Sequence, residues 1–202
     1  MDCALGWFAD PIYLGHYPEF LVKRLGDRLP KFSKEEMALV QGSSEFYGCN
    51  TYTTNLIKAG GGDDFSGGHT MGFIWPDGSE IGEESQLGWL RDVPWGFRKL
   101  LVYVYKRYKT PIYCTENGWA IKDEYQLTPE KAIRLQIYDS GREVYYRGYL
   151  TALKEAVVED KVDVRSYFAW SYVVIQSDLV DVQADSLPLL SSQSHVPHLT
   201  GY

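Results

Sequence analysis

The chain has 202 residues, of which 45% are hydrophobic and 23% are charged, a composition typical of one globular domain with a packed core. Its net charge of −7 argues against nucleic acid and anionic membranes as partners, because an acidic surface is repelled by both. No apolar run approaches the ~20 residues of a membrane-spanning helix.

The cysteines and the first residues indicate a reducing compartment. Cys3, Cys49 and Cys114 are odd in number and widely spaced, which is typical of free thiols rather than disulfides or metal ligands. Met1–Gly6 has neither the basic nor the apolar region of a signal peptide, so we expect a cytoplasmic protein. We expect no metal and no other cofactor.

The first predicted element is an aromatic loop over residues 6–18. Asp10–Pro11 and Tyr17–Pro18 oppose helix formation, because the residue before a proline avoids the helical region. The aromatic residues of this segment need burial, so the loop is expected to cover another part of the molecule.

Two short helices are predicted next. The first covers Glu19–Leu25 and is ended by Gly26. The second covers Lys34–Val40, because Ser33 and Glu36 have the spacing of a capping box, in which each side chain bonds the other residue's backbone N–H.

Residues 45–54 favour a strand, since aromatic residues and a cysteine alternate with polar ones. Asn50 and Tyr52 would lie on the same side of an extended chain. The pattern alone is equally consistent with an ordinary half-buried strand.

Residues 58–92 are a glycine-rich polar insertion, and a loop of this length is usually functional or mobile. Asp63 and Asp64 lie between glycines without a third ligand, which favours a solvated turn over a metal site. The following segment, Trp95–Tyr108, has apolar residues at helical spacing and is predicted to be an amphipathic helix.

A short buried strand is predicted over residues 112–115, followed by Glu116 and by turn-forming Asn117–Gly118. Glu116 therefore falls where a strand ends. In α/β proteins the carboxyl ends of parallel strands carry the active site. The spacing by itself leaves a simple loop carboxylate equally open.

Two helices and a strand complete the pattern. The helices cover about residues 128–140 and 142–159, with Gly141 breaking or kinking them, and the strand covers residues 162–171 with Trp170 at its end. Helices that alternate with strands predict parallel βα units.

The last helix carries two further patterns. Its apolar stripe is predicted to consist of Val144, Tyr145, Tyr149, Leu150, Leu153 and Val157. Asp139 and Arg142 are spaced for an ion pair, either at the surface or near an active site.

Four motifs together resemble the family 1 β-glycosidases, and P-D-G-S-x-I-G at residues 76–82 and W-L-x-x-x-P-W-G-F-R at 89–98 resemble the fungal branch of that family. The four motifs are G-W-F-x-D-P-I-x-x-G-x-Y-P at residues 6–18, F-x-G-x-N-x-Y-T at 46–53, Y-x-T-E-N-G at 113–118 and Y-F-x-W-S at 167–171. The resemblance implies an α/β fold that is a partial TIM (β/α)8 barrel, covering about the last three βα units.

The resemblance also implies roles for individual residues. Glu116 matches the catalytic nucleophile, and Tyr52 matches the tyrosine whose hydroxyl orients that nucleophile. Asn50 and Trp170 match residues that bind the sugar at the catalytic subsite. Asp139 and Arg142 match the family's D-x-x-R in the last helix.

Residues 1–171 are accordingly expected to be the C-terminal part of a family 1 barrel, and residues 172–202 a tail without family character that packs poorly or not at all. The family's acid/base glutamate lies in a T-x-N-E-P motif, which this sequence does not contain. The implied function is that of a retaining β-glucosidase fragment, weak or inactive alone, whose substrates are β-glucosides or cello-oligosaccharides.

Two other interpretations remain open at this point. The chain could be a non-catalytic pseudo-glycosidase or carbohydrate-binding module that keeps only the sugar-binding residues. A second polypeptide bearing T-x-N-E-P could instead complete the enzyme.

Overall fold

The computed structural model describes residues 1–62, 67–137 and 139–170. The predicted tail, residues 172–202, lies outside the described residues. The helices are α1 (Trp7–Leu14), α2 (Glu19–Leu25), α3 (Lys34–Val40), α4 (Pro94–Tyr108), α5 (Pro129–Ile137) and α6 (Ser140–Val158). The strands are β1 (Tyr47–Asn50), β2 (Leu56–Ala59), β3 (His69–Gly72), β4 (Ile112–Asn117) and β5 (Val164–Ala169).

A three-stranded parallel sheet in the order β1-β4-β5 forms the centre of the fold. Helix α4 lies between β1 and β4 in sequence, and α5 and α6 lie between β4 and β5, so the predicted βα alternation is confirmed. A separate antiparallel hairpin of β2 and β3, which the sequence pattern did not predict, spans the start of the glycine-rich insertion.

The main core lies between the sheet and helices α4 and α6. Ile112 and Cys114 of the central strand are fully buried against it, together with Leu101 and Val104 of α4. At the surface, Arg98 of α4 also forms ion pairs with Glu155, Glu159 and Asp160. Helices α4 and α6 are therefore joined both by apolar packing and by charge.

The prediction of a loop over residues 6–18 was wrong, because residues 7–14 form helix α1 with Pro11 inside it. The proline removes only one backbone bond, and tertiary contacts compensate. Asp10 has no exposed surface and accepts hydrogen bonds from both Arg107 and the Tyr108 hydroxyl of α4. Gly15 then ends the helix in the left-handed conformation, at φ 75°.

The two short helices after α1 were predicted correctly. Helix α2 has the predicted bounds, and α3 begins with the predicted capping box. The Glu36 N–H donates to the Ser33 hydroxyl over 3.1 Å, and the Ser33 N–H donates to the Glu36 carboxylate over 2.7 Å.

The predicted apolar stripe of α6 was only partly right. Val144 and Leu150 are exposed, whereas Tyr145 and Tyr149 are buried. Alanines on the same face, Ala152 and Ala156, complete the buried stripe. Gly141 does not break the helix, since α6 begins at Ser140 and runs through it.

The described part of the chain contains no helix with the length and apolarity needed to cross a bilayer. It also contains no group of three or more side chains of the metal-binding types placed to hold an ion.

The ion pair between α1 and α4 provides a stability test. We expect Asp10→Asn to lower the free energy of unfolding by about 3 kcal/mol, because it leaves the Arg107 guanidinium without its buried anion. Urea denaturation followed by circular dichroism measures the change. Glu143→Gln removes an exposed ion pair with Arg147 and should change stability by less than about 0.5 kcal/mol. Equal losses of stability in the two variants would contradict the conclusion that the Asp10–Arg107 pair anchors α1 to α4.

The cysteines provide a second test. Burial raises the pKa of both Cys49 and Cys114 to about 12, so neither forms much thiolate at about pH 8. Cys3 is only partly buried. A chromogenic disulfide reagent should therefore modify one thiol quickly in the folded chain and all three after denaturation. Fast reaction of all three thiols in the folded chain would show that the sheet opens readily.

Candidate active site

An irregularity in β4 sets the direction of Glu116. Cys49 of β1 pairs with Cys114, but the next residue of β1, Asn50, pairs with Glu116, so Thr115 is an extra residue on β4. The register with β5 shifts over the same stretch. A β-bulge of this kind reverses which side chains face each side of the sheet. The buried residue after Cys114 is therefore Asn117, while Glu116 is turned away from the helices and is half-buried.

The structure corrects the prediction that β4 ends before Glu116 and continues into an Asn-Gly turn. The strand runs through Asn117, and the Asn117 side chain is fully buried. Gly118 serves a different purpose from turn formation. A Cβ atom at this position would lie 2.1 Å from the Trp170 carbonyl oxygen, so only glycine permits the close approach of the two segments.

Tyr52 is the direct partner of Glu116. Its hydroxyl donates a hydrogen bond of 2.7 Å to Glu116 Oε2. Burial raises the pKa of Tyr52, and the Glu116 carboxylate raises it further, so the phenol keeps its proton and remains a donor. The strand predicted over residues 45–54 ends at Asn50, so Tyr52 lies on the segment just beyond β1.

The other two predicted site residues flank this pair. Asn50 is exposed, and its Oδ1 accepts a hydrogen bond of 2.6 Å from the Thr115 hydroxyl. Trp170 follows β5 directly, and 59% of its surface is exposed. The backbone N–H of Trp170 donates to the backbone carbonyl of Asn117 over 2.7 Å. Backbone and side-chain bonds thus tie all four predicted residues to the carboxyl end of β4.

Sequence reasoning missed two features beside the site. Trp89, from the glycine-rich insertion, meets the Tyr52 ring edge-on with 6.1 Å between ring centroids, and about half of its surface is exposed. Behind the site, Asn117 bonds to Tyr145 and Tyr167. The hydroxyl of the buried Tyr145 was a signal for this network, but Tyr145 was attributed to apolar packing alone.

Other carboxylates of the region have structural partners. Arg142 is buried and forms ion pairs with Glu124 and Asp139, and it also donates to the Trp119 carbonyl. The Asp139–Arg142 pair is therefore neither a surface pair nor in contact with Glu116. Glu124 is buried as well.

Comparisons with known proteins identify the family of the chain. The model of the family described as "Glycosyl hydrolase family 1" matches residues 1–181. The chain belongs to glycosyl hydrolase family 1. The match extends past residue 171, where the recognised motifs end, into residues that the structure does not describe.

Beta-glucosidase 1B of Phanerodontia chrysosporium is 55% identical over 171 residues, which are 85% of this chain and 31% of that protein. A crystal structure of a GH1 β-glucosidase from the fungus Humicola insolens, in complex with glucose, is similar with a TM-score of 0.78 and 45% identity, covering 84% of this chain and 36% of that one. A variant of a rice β-glucosidase in a covalent complex with Glc has a TM-score of 0.75 and 37% identity, covering 84% of this chain and 37% of that one. The family 1 chain therefore spans about a third of the length of these relatives.

The contact at Gly118 is testable. We expect Gly118→Ala to lower the free energy of unfolding by about 1–3 kcal/mol, because the added methyl group collides with the Trp170 backbone. Urea denaturation measures the loss. Gly72→Ala is the control, since a Cβ there meets no atom within 4 Å. A Gly118→Ala variant as stable as the control would exclude the close contact.

Proposed function

We propose that this chain is the nucleophile-bearing part of a retaining β-glucosidase and forms about the last three βα units of a (β/α)8 barrel. The three parallel strands with their connecting helices support the partial barrel, as does the similarity to solved family 1 enzymes. The observation that carries the catalytic proposal is the 2.7 Å hydrogen bond from the Tyr52 hydroxyl to Glu116 at the end of the central strand.

In the proposed reaction, Glu116 attacks the anomeric carbon of a terminal β-glucosyl residue. A bond forms between its carboxylate oxygen and that carbon while the bond to the leaving oxygen breaks. Water then hydrolyses the glycosyl-enzyme ester. Tyr52 holds the carboxylate in place by donating to Oε2 and leaves the other oxygen, Oε1, as the attacking atom. The covalent glucose complex of the rice relative supports a covalent intermediate.

Asn50 and Trp170 are proposed to bind the glucosyl residue. Trp170 offers an exposed aromatic face, on which the apolar C–H side of a sugar ring packs well. The Thr115 hydroxyl occupies the Asn50 oxygen, which leaves the Asn50 amide N–H groups to donate to sugar hydroxyls.

The second carboxyl group of a retaining glycosidase lies about 5–5.5 Å from the nucleophile and protonates the leaving oxygen. No T-x-N-E-P motif occurs in the 202 residues. Because general acid–base catalysis contributes about 10²–10⁴-fold, we propose that the chain alone is weak or inactive on ordinary substrates. The names of the relatives support β-glucosides as the substrate class, and cello-oligosaccharides are proposed as members of it. The cytoplasmic location remains a prediction.

The test uses a substrate that needs no general acid. In 2-deoxy-2-fluoro-β-glucosyl fluoride, fluoride departs without a proton, and the 2-fluoro group slows hydrolysis of the ester so that the adduct accumulates. We expect mass spectrometry of the wild-type chain to find one fluoroglucosyl group on the peptide that contains Glu116. Glu116→Gln should not react.

The outcomes separate the proposed function from its alternative. A label on another residue, or equal labelling of the Glu116→Gln variant, would refute the nucleophile assignment. Saturable glucose binding that changes Trp170 fluorescence without any labelling would favour a non-catalytic carbohydrate-binding module. A Trp170→Phe variant is the matched control for the fluorescence signal.

A further inference from the structure

A buried amide lies one residue beyond Glu116 and contacts every element that surrounds it. Asn117 has no exposed surface. Its Nδ2 donates to the Thr51 carbonyl over 2.7 Å and to the Tyr145 hydroxyl over 2.8 Å, and its Oδ1 accepts from the Tyr167 hydroxyl. The Asn117 side chain therefore joins β4 to the segment after β1, to α6 and to β5.

The same connections continue to Tyr52. The Tyr52 carbonyl accepts hydrogen bonds from the Tyr145 hydroxyl over 2.9 Å and from the Tyr149 hydroxyl over 3.1 Å. The preceding residue, Thr51, is held on both sides, because its carbonyl bonds to Asn117 and its N–H donates to the Glu116 carbonyl over 3.0 Å. The backbone on both sides of the Tyr52–Glu116 hydrogen bond is thus fixed by one buried hydrogen-bond network, which contains Asn117, Tyr145 and Tyr149.

The two tyrosines are well suited to this task. Tyr145 and Tyr149 are one turn apart on α6 and each is only 1% exposed. Their rings stack at 4.2 Å between centroids, and Trp119 also stacks on Tyr145 at 5.0 Å between centroids. Burial raises the pKa of both tyrosines, so their hydroxyls remain donors.

We propose that Asn117 and Tyr145 are positioning residues that hold the Tyr52 hydroxyl and the Glu116 carboxylate in the geometry needed for attack. Neither residue touches the sugar. They act by fixing the backbone of the residues that do. This inference rests on the proposed function, since it assigns Glu116 the role of nucleophile.

Tyr145→Phe is the decisive variant, because it removes one hydroxyl and keeps the stacked ring. Tyr108→Phe is the matched control, since Tyr108 is also a buried tyrosine but its hydroxyl bonds to Asp10, away from the site. Asn117→Ala removes all three side-chain hydrogen bonds of Asn117. It serves as a second variant if circular dichroism shows that it folds.

The first measurement is the rate of labelling by 2-deoxy-2-fluoro-β-glucosyl fluoride at several reagent concentrations. We expect Tyr145→Phe to lower the limiting rate constant by about 10-fold, because small displacements of a reacting group cost that much or more. The half-saturating concentration and the final labelled fraction should stay at the wild-type values. Tyr108→Phe should match the wild type in all three. A loss confined to the labelled fraction would indicate a structural role only and would overturn the proposal.

The second measurement does not depend on any sugar. In protein labelled with 3-fluorotyrosine, the ¹⁹F resonance of Tyr52 is assigned by its loss in Tyr52→Phe. The chemical shift of the Tyr52 resonance in Glu116→Gln is the reference for a Tyr52 hydroxyl that has lost its hydrogen bond to the carboxylate. We expect Tyr145→Phe to move the resonance toward that position and Tyr108→Phe to leave it unchanged.

These measurements distinguish the two proposals. If the wild-type chain is not labelled, the proposed function fails, while the ¹⁹F shift still decides whether Tyr145 positions the pair. If the wild-type chain is labelled and Tyr145→Phe changes neither the rate constant nor the resonance, the nucleophile stands and the positioning role is refuted.

Discussion

The bulge in β4 is the constraint on which the site depends. Regular alternation after Ile112 and Cys114 would direct Glu116 into the apolar layer under α4 and α6, where an unpaired carboxylate costs several kcal/mol. The extra residue, Thr115, instead turns Glu116 toward Tyr52 and brings Asn117 into that layer. An amide is the better group to bury there, since its donors and its acceptor all find partners. One shift of register thus supplies both the half-buried carboxylate and its buried support.

Buried polar groups, rather than apolar packing alone, define the geometry around the sheet. Asp10 anchors α1 through Arg107, and Arg142 anchors the segment after β4 through Glu124. Each of these groups is stable inside the protein only while its partner stays in place. Apolar contacts tolerate sliding, whereas a buried charge or amide without its partner is strongly penalised. This penalty makes the positions of α1, α6 and the residues around Glu116 specific.

The elements that were predictable from sequence are those governed by local chemistry. The capping box at Ser33 fixed the start of α3, and turn residues and helical spacing located α2 and α4 to within a residue. Helix α1 was missed because the contact that stabilises it joins residues 97 positions apart. The bulge was missed because it exists only in the pairing of β4 with its two neighbours. Spacing left Glu116 open between a loop and an active site, and the motif resemblance supplied its role.

This chain supplies Tyr52, the hydrogen-bond partner of the Glu116 carboxylate, although it spans about a third of its relatives' length. Tyr52, Asn117 and Tyr145 are connected without any residue from outside the described part. Under the proposed function, the geometry of nucleophilic attack can therefore be tested separately from the protonation of the leaving group. A substrate whose leaving group needs no proton tests only the geometry of nucleophilic attack. If the labelling succeeds, a low rate on ordinary glucosides would point to the general acid and not to a misplaced nucleophile.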